Sequence, residues 1–188
     1  MNPLQLILGD EEFLIDRATS SIIRAVRSTM QSNPEELPIT KLRAGDVTPS
    51  EISELLSPSL FAEDRVVILA AAGEAGKEAV STIEQAVKEP APGVVLIVIH
   101  SGGGRAKNLV KILKNAGADV TECPKLTKFS EREDFVVNEF RNLGVRPSRD
   151  TVHALLDAIG GDLRELASAV SQLVADTCLL YTSDAADD

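Results

Sequence analysis

Arg65-Val66-Val67-Ile68-Leu69 follows directly on Ser57-Pro58-Ser59-Leu60-Phe61-Ala62-Glu63-Asp64, and the reading of that succession decides the fold. RVVIL is too apolar for a strand with one face in water. It suits an inner strand of a parallel sheet, which helices cover on both faces. The segment before it carries the marks of a helix: Thr48 and Glu51 stand at capping-box spacing, Pro49 takes the first helical position, and Ile52, Leu55 and Leu56 form one apolar stripe. Pro58 discourages continuation of that helix. Leu60 and Phe61 therefore fall in a connection, where polar residues would be expected. They read either as a wedge that docks on a partner, or as a plug folded back over the end of the sheet, since most large apolar residues are buried.

The same alternation extends in both directions. Leu4–Leu8 is an apolar strand closed by Gly9-Asp10, and the helix after it sets Phe13, Leu14, Ala18, Ile22, Ala25 and Val26 on one stripe. Further strands are expected at 37–42, 94–99 and 119–122. Helices are expected at 77–87, ended before Pro90-Ala91-Pro92-Gly93, and at 106–116, ended by Gly117. Five strands alternating with helices give an α/β fold with a parallel sheet over residues 1–124, its loops of interest at the strand ends. After Pro124 the rhythm is helical only. Three helices are expected, at about 131–143, 148–159 and from Asp162 onward, where Glu165 completes a capping-box spacing; they form a small second domain over 125–177.

Composition narrows the function classes. With 188 residues, 44% of them hydrophobic, the chain can bury a sizeable core, and its longest apolar run, Val94–Ile99, is too short to span a bilayer. The net charge of -10 makes non-specific attraction to a phosphate backbone no overall property of the chain, so a protein partner is the easier inference. The last eleven residues, Cys178–Asp188, differ in character from the rest and resemble the translation of a transposase sequencing adapter. On that reading the natural sequence is read to about Thr177 and the tail is set aside from the fold. Cys123 is then the one cysteine left, which allows neither a disulfide nor a cysteine metal cluster and fits a reducing cytoplasm.

The residues offer little chemistry. A phosphate-binding loop after the first strand needs glycines, a Lys and a hydroxyl, whereas Gly9-Asp10-Glu11-Glu12 supplies three consecutive carboxylates that repel a nucleotide. Ser101-Gly102-Gly103-Gly104, after His100 and before a helix, could hold an anion, with Arg105, Lys107 and Lys111 as DNA or anion contacts and Lys114 on the same stretch. It lacks the spacing of a dinucleotide fingerprint. His100 and His153 lie in different domains, with no nucleophile elbow and no paired metal-ligand spacing. On its residues the chain is a non-enzyme without cofactor or metal. Two rival readings remain: a nucleotide-binding enzyme using Ser101–Gly104, and a DNA-binding module led by Arg105, Lys107, Lys111 and Lys114.

Four stretches together resemble the delta-subunit family of bacterial DNA polymerase III clamp loaders, of the actinobacterial kind. They are Leu6-Ile7-Leu8-Gly9-Asp10-Glu11-Glu12-Phe13-Leu14, Ser59-Leu60-Phe61-Ala62-Glu63-Asp64-Arg65-Val66-Val67, the run from His100 to Lys107, and Gly161-Asp162-Leu163-Arg164-Glu165-Leu166. The resemblance implies a degenerate AAA+ module with a RecA-like first domain, a degenerate phosphate loop at Gly9, Asp10 and Glu11, and a three-helix lid. It also implies a C-terminal collar domain, which this sequence does not include, so loader assembly is placed in doubt. It further implies a non-catalytic polymerase subunit that binds and opens the beta sliding clamp in the cytoplasmic replisome. Leu60 and Phe61, with Ser59, match the clamp-entering pair. The implied partners are the clamp, the gamma/tau and delta-prime subunits and primed DNA, with no membrane.

Overall fold

The computed structural model describes residues 1–29, 36–58 and 64–183, without the side chains of 178–183. The expectation placed on Ser59, Leu60 and Phe61 lies outside the described residues. The chain divides into two compact units, Met1–Lys125 and Leu126–Asp188.

The first unit runs β1 (Leu4–Gly9), α1 (Glu12–Thr29), β2 (Ile39–Arg43), α2 (Pro49–Leu56), β3 (Arg65–Ala70), a 3-10 turn (Ala72–Glu74), α3 (Lys77–Lys88), β4 (Val94–His100), α4 (Asn108–Asn115) and β5 (Asp119–Cys123). The strands form one parallel sheet in the order β2-β3-β4-β1-β5. This order sorts the helices. The step from β1 to β2 moves along the sheet in one direction, and every later step moves in the other. Right-handed crossovers therefore put α1 alone on one face and α2, α3 and α4 on the opposite face. The core divides accordingly. Ile7, Val66, Ile68 and Ile97 pack with Val26 and the half-buried Leu14, Ile22 and Ile23 of α1. Leu6, Val67, Leu69, Leu96 and Val98 pack with Ile52, Leu56, Ile83, Leu109 and Leu113.

The central strand read from RVVIL is buried on both faces, with Val66, Val67, Ile68 and Leu69 at most 3% exposed. Its carboxyl-terminal neighbour in sequence order, β4, is nearly as dry. At the sheet edges the pattern weakens: β5 is exposed from Asp119 to Glu122 and only Cys123 is buried. β2 begins at Ile39, two residues after the expected start, because Pro38 has no N–H for the ladder; its carbonyl instead accepts from Val66 N–H at 2.9 Å. Helix α4 also starts later than expected, after a turn over residues 105–107.

The second unit consists of α5 (Phe129–Asn142), α6 (Arg149–Ile159) and α7 (Leu163–Ser183), which pack pairwise on one another. Phe135, Val136, Phe140, Val152, Leu156, Leu166 and Val170 are buried in it. Each helix has a side-chain start signal. The Glu131 carboxylate accepts the Thr127 and Lys128 N–H groups, Ser148 Oγ accepts from Thr151 N–H, and Asp162 Oδ1 accepts from Arg164 and Glu165 N–H. The α7 backbone continues past Thr177, so helical geometry extends into the segment read as a tail. No described helix is long and apolar enough to cross a membrane.

Candidate functional site

In a parallel sheet the chemistry is expected at the carboxyl ends of the strands, so the β1–α1 loop comes first. Gly9 has φ of +148°, and a Cβ on it would lie 1.9 Å from the carbonyl oxygen of Cys123, its register partner on β5. The same oxygen accepts the Glu11 N–H at 3.0 Å. The first backbone donor that a phosphate would need is thus spent on β5, and an oxygen occupies the approach. Asp10 and Glu12 are exposed and Glu11 is half-buried, so carboxylates surround the position. This arrangement disfavours anions twice, by charge and by the loss of a donor.

The loop after β4 is held by its histidine. His100 is fully buried, its Nδ1 accepts the Gly102 N–H at 2.8 Å, and its Nε2 donates to Ala106 O at 3.2 Å. The imidazole is a spacer inside the turn and presents no nitrogen to solvent. Gly104, at φ +81°, crosses the 3-10 turn so closely that a Cβ would sit 2.4 Å from Gly73 O, while a Cβ on Gly73 would sit 2.8 Å from Gly103 O. Gly73 O accepts the Ala106 N–H at 3.0 Å. Of the three glycines read as an anion cradle, Gly104 is therefore required by the packing of two backbones against each other, whereas a Cβ on Gly103 would meet nothing within 4 Å.

One ion pair stands beside this crossing. Arg43 binds Glu74 with both forks, at 2.9 and 2.8 Å, and the guanidinium holds the Glu74 carboxyl below the ordinary carboxylate range. Arg105 Nε donates to Glu74 O. Lys107 and Lys111 are exposed, with no ion pair among the described residues, one helical turn apart at the start of α4. Lys114 lies 3.9 Å from Glu122. The groove between α3 and α4 is lined by Lys77, Ser81, Glu84, Arg105 and Asn108, a mixed set rather than a basic one.

At the opposite, amino-terminal end of the sheet lie the two anchors of the connection that carries Leu60 and Phe61. α2 is fixed by a complete capping box: Glu51 N–H donates to Thr48 Oγ1 at 3.3 Å and Thr48 N–H donates to Glu51 Oε2 at 2.8 Å. The Glu51 carboxylate, which accepts that Thr48 N–H and also the Thr48 hydroxyl at 2.7 Å, has its pKa lowered by these two bonds, the backbone one first. Ile52 and Leu56 root the helix in the core. Ser57 follows, with its Oγ donating to Ser53 O. Across the connection, Arg65 Nη2 donates to Ser57 O, while Arg65 N–H donates to Gly93 O at 2.8 Å. Nothing in the sequence reading singled out Arg65. The available signal was a cation opening an otherwise wholly apolar strand.

A profile of the family described as DNA polymerase III, delta subunit, matches residues 6–124. No curated protein sequence matches the chain. Among solved structures it is similar to the Bacillus subtilis DNA clamp loader delta protein, with a TM-score of 0.74 and 22% identity over 94% of this chain and 54% of that one. That likeness is one of fold, and the chain spans about half the length of the Bacillus protein. More distant similarities are to the Thermotoga maritima RuvB Holliday junction branch migration motor (TM-score 0.49, 10% identity, 95% of this chain and 56% of that one) and a Thermotoga maritima DNA polymerase III gamma subunit-related protein (0.44, 17%, 89% and 53%).

Proposed function

The chain belongs to the DNA polymerase III delta-subunit family, and on that premise we propose that it binds and opens the beta sliding clamp, with Leu60 and Phe61 entering an apolar pocket of the ring and Ser59 beside them. The observation that carries this reading is the anchoring of their connection. Two large apolar residues stand between the last residue of α2 and the first of β3, and both of those ends are tied to the core. A rigid base lowers the ordering cost of binding, and an aromatic anchor in a pocket can contribute about 2 kcal/mol or more. The chain acts without hydrolysing ATP, as a non-catalytic component of the polymerase assembly. Cys123 O over Gly9 and the carboxylates at 10–12 support that part. The gamma/tau and delta-prime subunits and primed DNA are its further partners in the replisome, with Lys107 and Lys111 as the residues for phosphate contact; Arg105 is partly engaged by Glu74.

The test is the double variant Leu60→Ala/Phe61→Ala, assayed for binding to a bacterial beta clamp by surface plasmon resonance and for melting temperature. We expect at least tenfold weaker binding, about 1.4 kcal/mol, with the melting temperature nearly unchanged. Two core residues would behave in the opposite way, each truncation costing about 2–5 kcal/mol of stability. A double variant that melts early, or that binds as the parent does, refutes the reading.

A further inference from the structure

We propose that the groove between α3 and α4 binds a small sugar phosphate, with the phosphate at Lys77, Arg105 and Asn108 and the sugar hydroxyls at Ser81 and Glu84. The site is separate from the docking reading above and does not depend on it. The groove encloses about 440 Å³, within the range of small-molecule sites. Its floor is apolar, from the buried Ala75 and Val80, and its walls are polar. Two cations face each other across it, Lys77 at the start of α3 and Arg105 in the loop before α4, and neither forms an ion pair among the described residues. Arg105 is held in place, because its Nε donates to Glu74 O, while the Glu74 carboxylate is taken by both forks of Arg43. The tie at Nε orients the guanidinium and leaves its two Nη groups for an oxyanion.

The one carboxylate in the lining sets the kind of ligand. Glu84 is paired with Lys88 at 3.2 Å, so the two cations keep a local surplus of positive charge. On α3, Ser81 lies one helical turn from Lys77 and Glu84 two turns, about 6 and 10 Å along the axis. A chain of phosphates running down the groove would meet Glu84 and be repelled. A single phosphate followed by hydroxyls would meet an acceptor there instead, as a ribose diol meets the acid of a dinucleotide fold. The Ser81 hydroxyl and the Asn108 amide make no side-chain hydrogen bond among the described residues, so both serve as donors. No aromatic ring lines the groove to stack a base, and recognition falls on phosphate and sugar alone.

The experiment is titration of the isotope-labelled full chain with ribose 5-phosphate, inorganic phosphate and a single-stranded oligothymidylate, read from the backbone amide shifts of residues 77–84 and 105–108. We expect saturable shifts there with ribose 5-phosphate, and an affinity about tenfold above that for inorganic phosphate. Lys77→Ala and Arg105→Lys should each weaken ribose 5-phosphate about fivefold with the melting temperature nearly unchanged. Glu84→Gln should lower the ratio of the two affinities about threefold or more, whereas a plain patch of cations gains affinity for both anions alike when a carboxylate is removed. No saturable shift with ribose 5-phosphate, equal affinity for it and inorganic phosphate, or a ratio unmoved by Glu84→Gln each overturns the proposal. So does binding of the oligothymidylate alone, which would join the groove to the phosphate contact of Lys107 and Lys111. If one cation variant does not fold, the other decides: a folded variant with parent-like affinity overturns the site.

Discussion

Gly9 shows how one residue can decide against a chemistry. Its φ of +148° and the 1.9 Å approach of Cys123 O leave no room for a Cβ, and the obstacle is backbone, which cannot rotate away. Gly9→Ala is therefore expected to destabilise the first unit by about 3 kcal/mol or more, in the range reserved for backbone strain and overpacking, as read from urea denaturation. Loss of less than about 0.5 kcal/mol would show that β1 and β5 separate easily at this end. The same residue reads in sequence as the remnant of a phosphate loop. In the structure it is the point where β5 closes over that loop. His100 is a parallel case: a histidine beside three glycines suggests ligand chemistry, yet both of its ring nitrogens are used within the turn.

Among the elements, α2 links stability to the proposed docking. It is only eight residues long, so its ends weigh heavily, and Thr48 with Glu51 satisfies two donors of its first turn. Thr48→Ala should cost about 1 kcal/mol, seen as a lower midpoint in thermal unfolding. Part of the cap depends on pH. Glu51 has its folded pKa lowered, so its stabilisation is complete at neutral pH, above the ordinary carboxylate range, and is lost as pH falls through the lower folded value. The unfolding midpoint of Glu51→Gln should accordingly approach that of the parent on acidification. A constant difference between pH 7 and pH 3 would show that the carboxylate has no part in the cap.

For the whole molecule, the first unit has what it needs to fold by itself: a five-stranded sheet, helices on both faces and two separate buried clusters. A protein of residues 1–125 should therefore unfold cooperatively by circular dichroism; a gradual, non-cooperative melt would show that the second unit is required. The sequence by itself determined the alternation of strand and helix, because apolar runs with no wet face leave only a covered parallel sheet. The capping box of α2 and the Asp162 cap of α7 were legible too, because a helix cap is a local matter of about four residues. Family membership was legible for the same reason, from short stretches in order. Strand order, and with it the isolation of α1 on one face, came only from the tertiary structure, since periodicity says nothing about which strands are neighbours. The Cys123 carbonyl over Gly9, the Gly73–Gly104 crossing and the Arg65–Ser57 bridge were equally illegible. Each joins residues through space in a direction set by the packing of other elements, so their distances exist only once the sheet has closed.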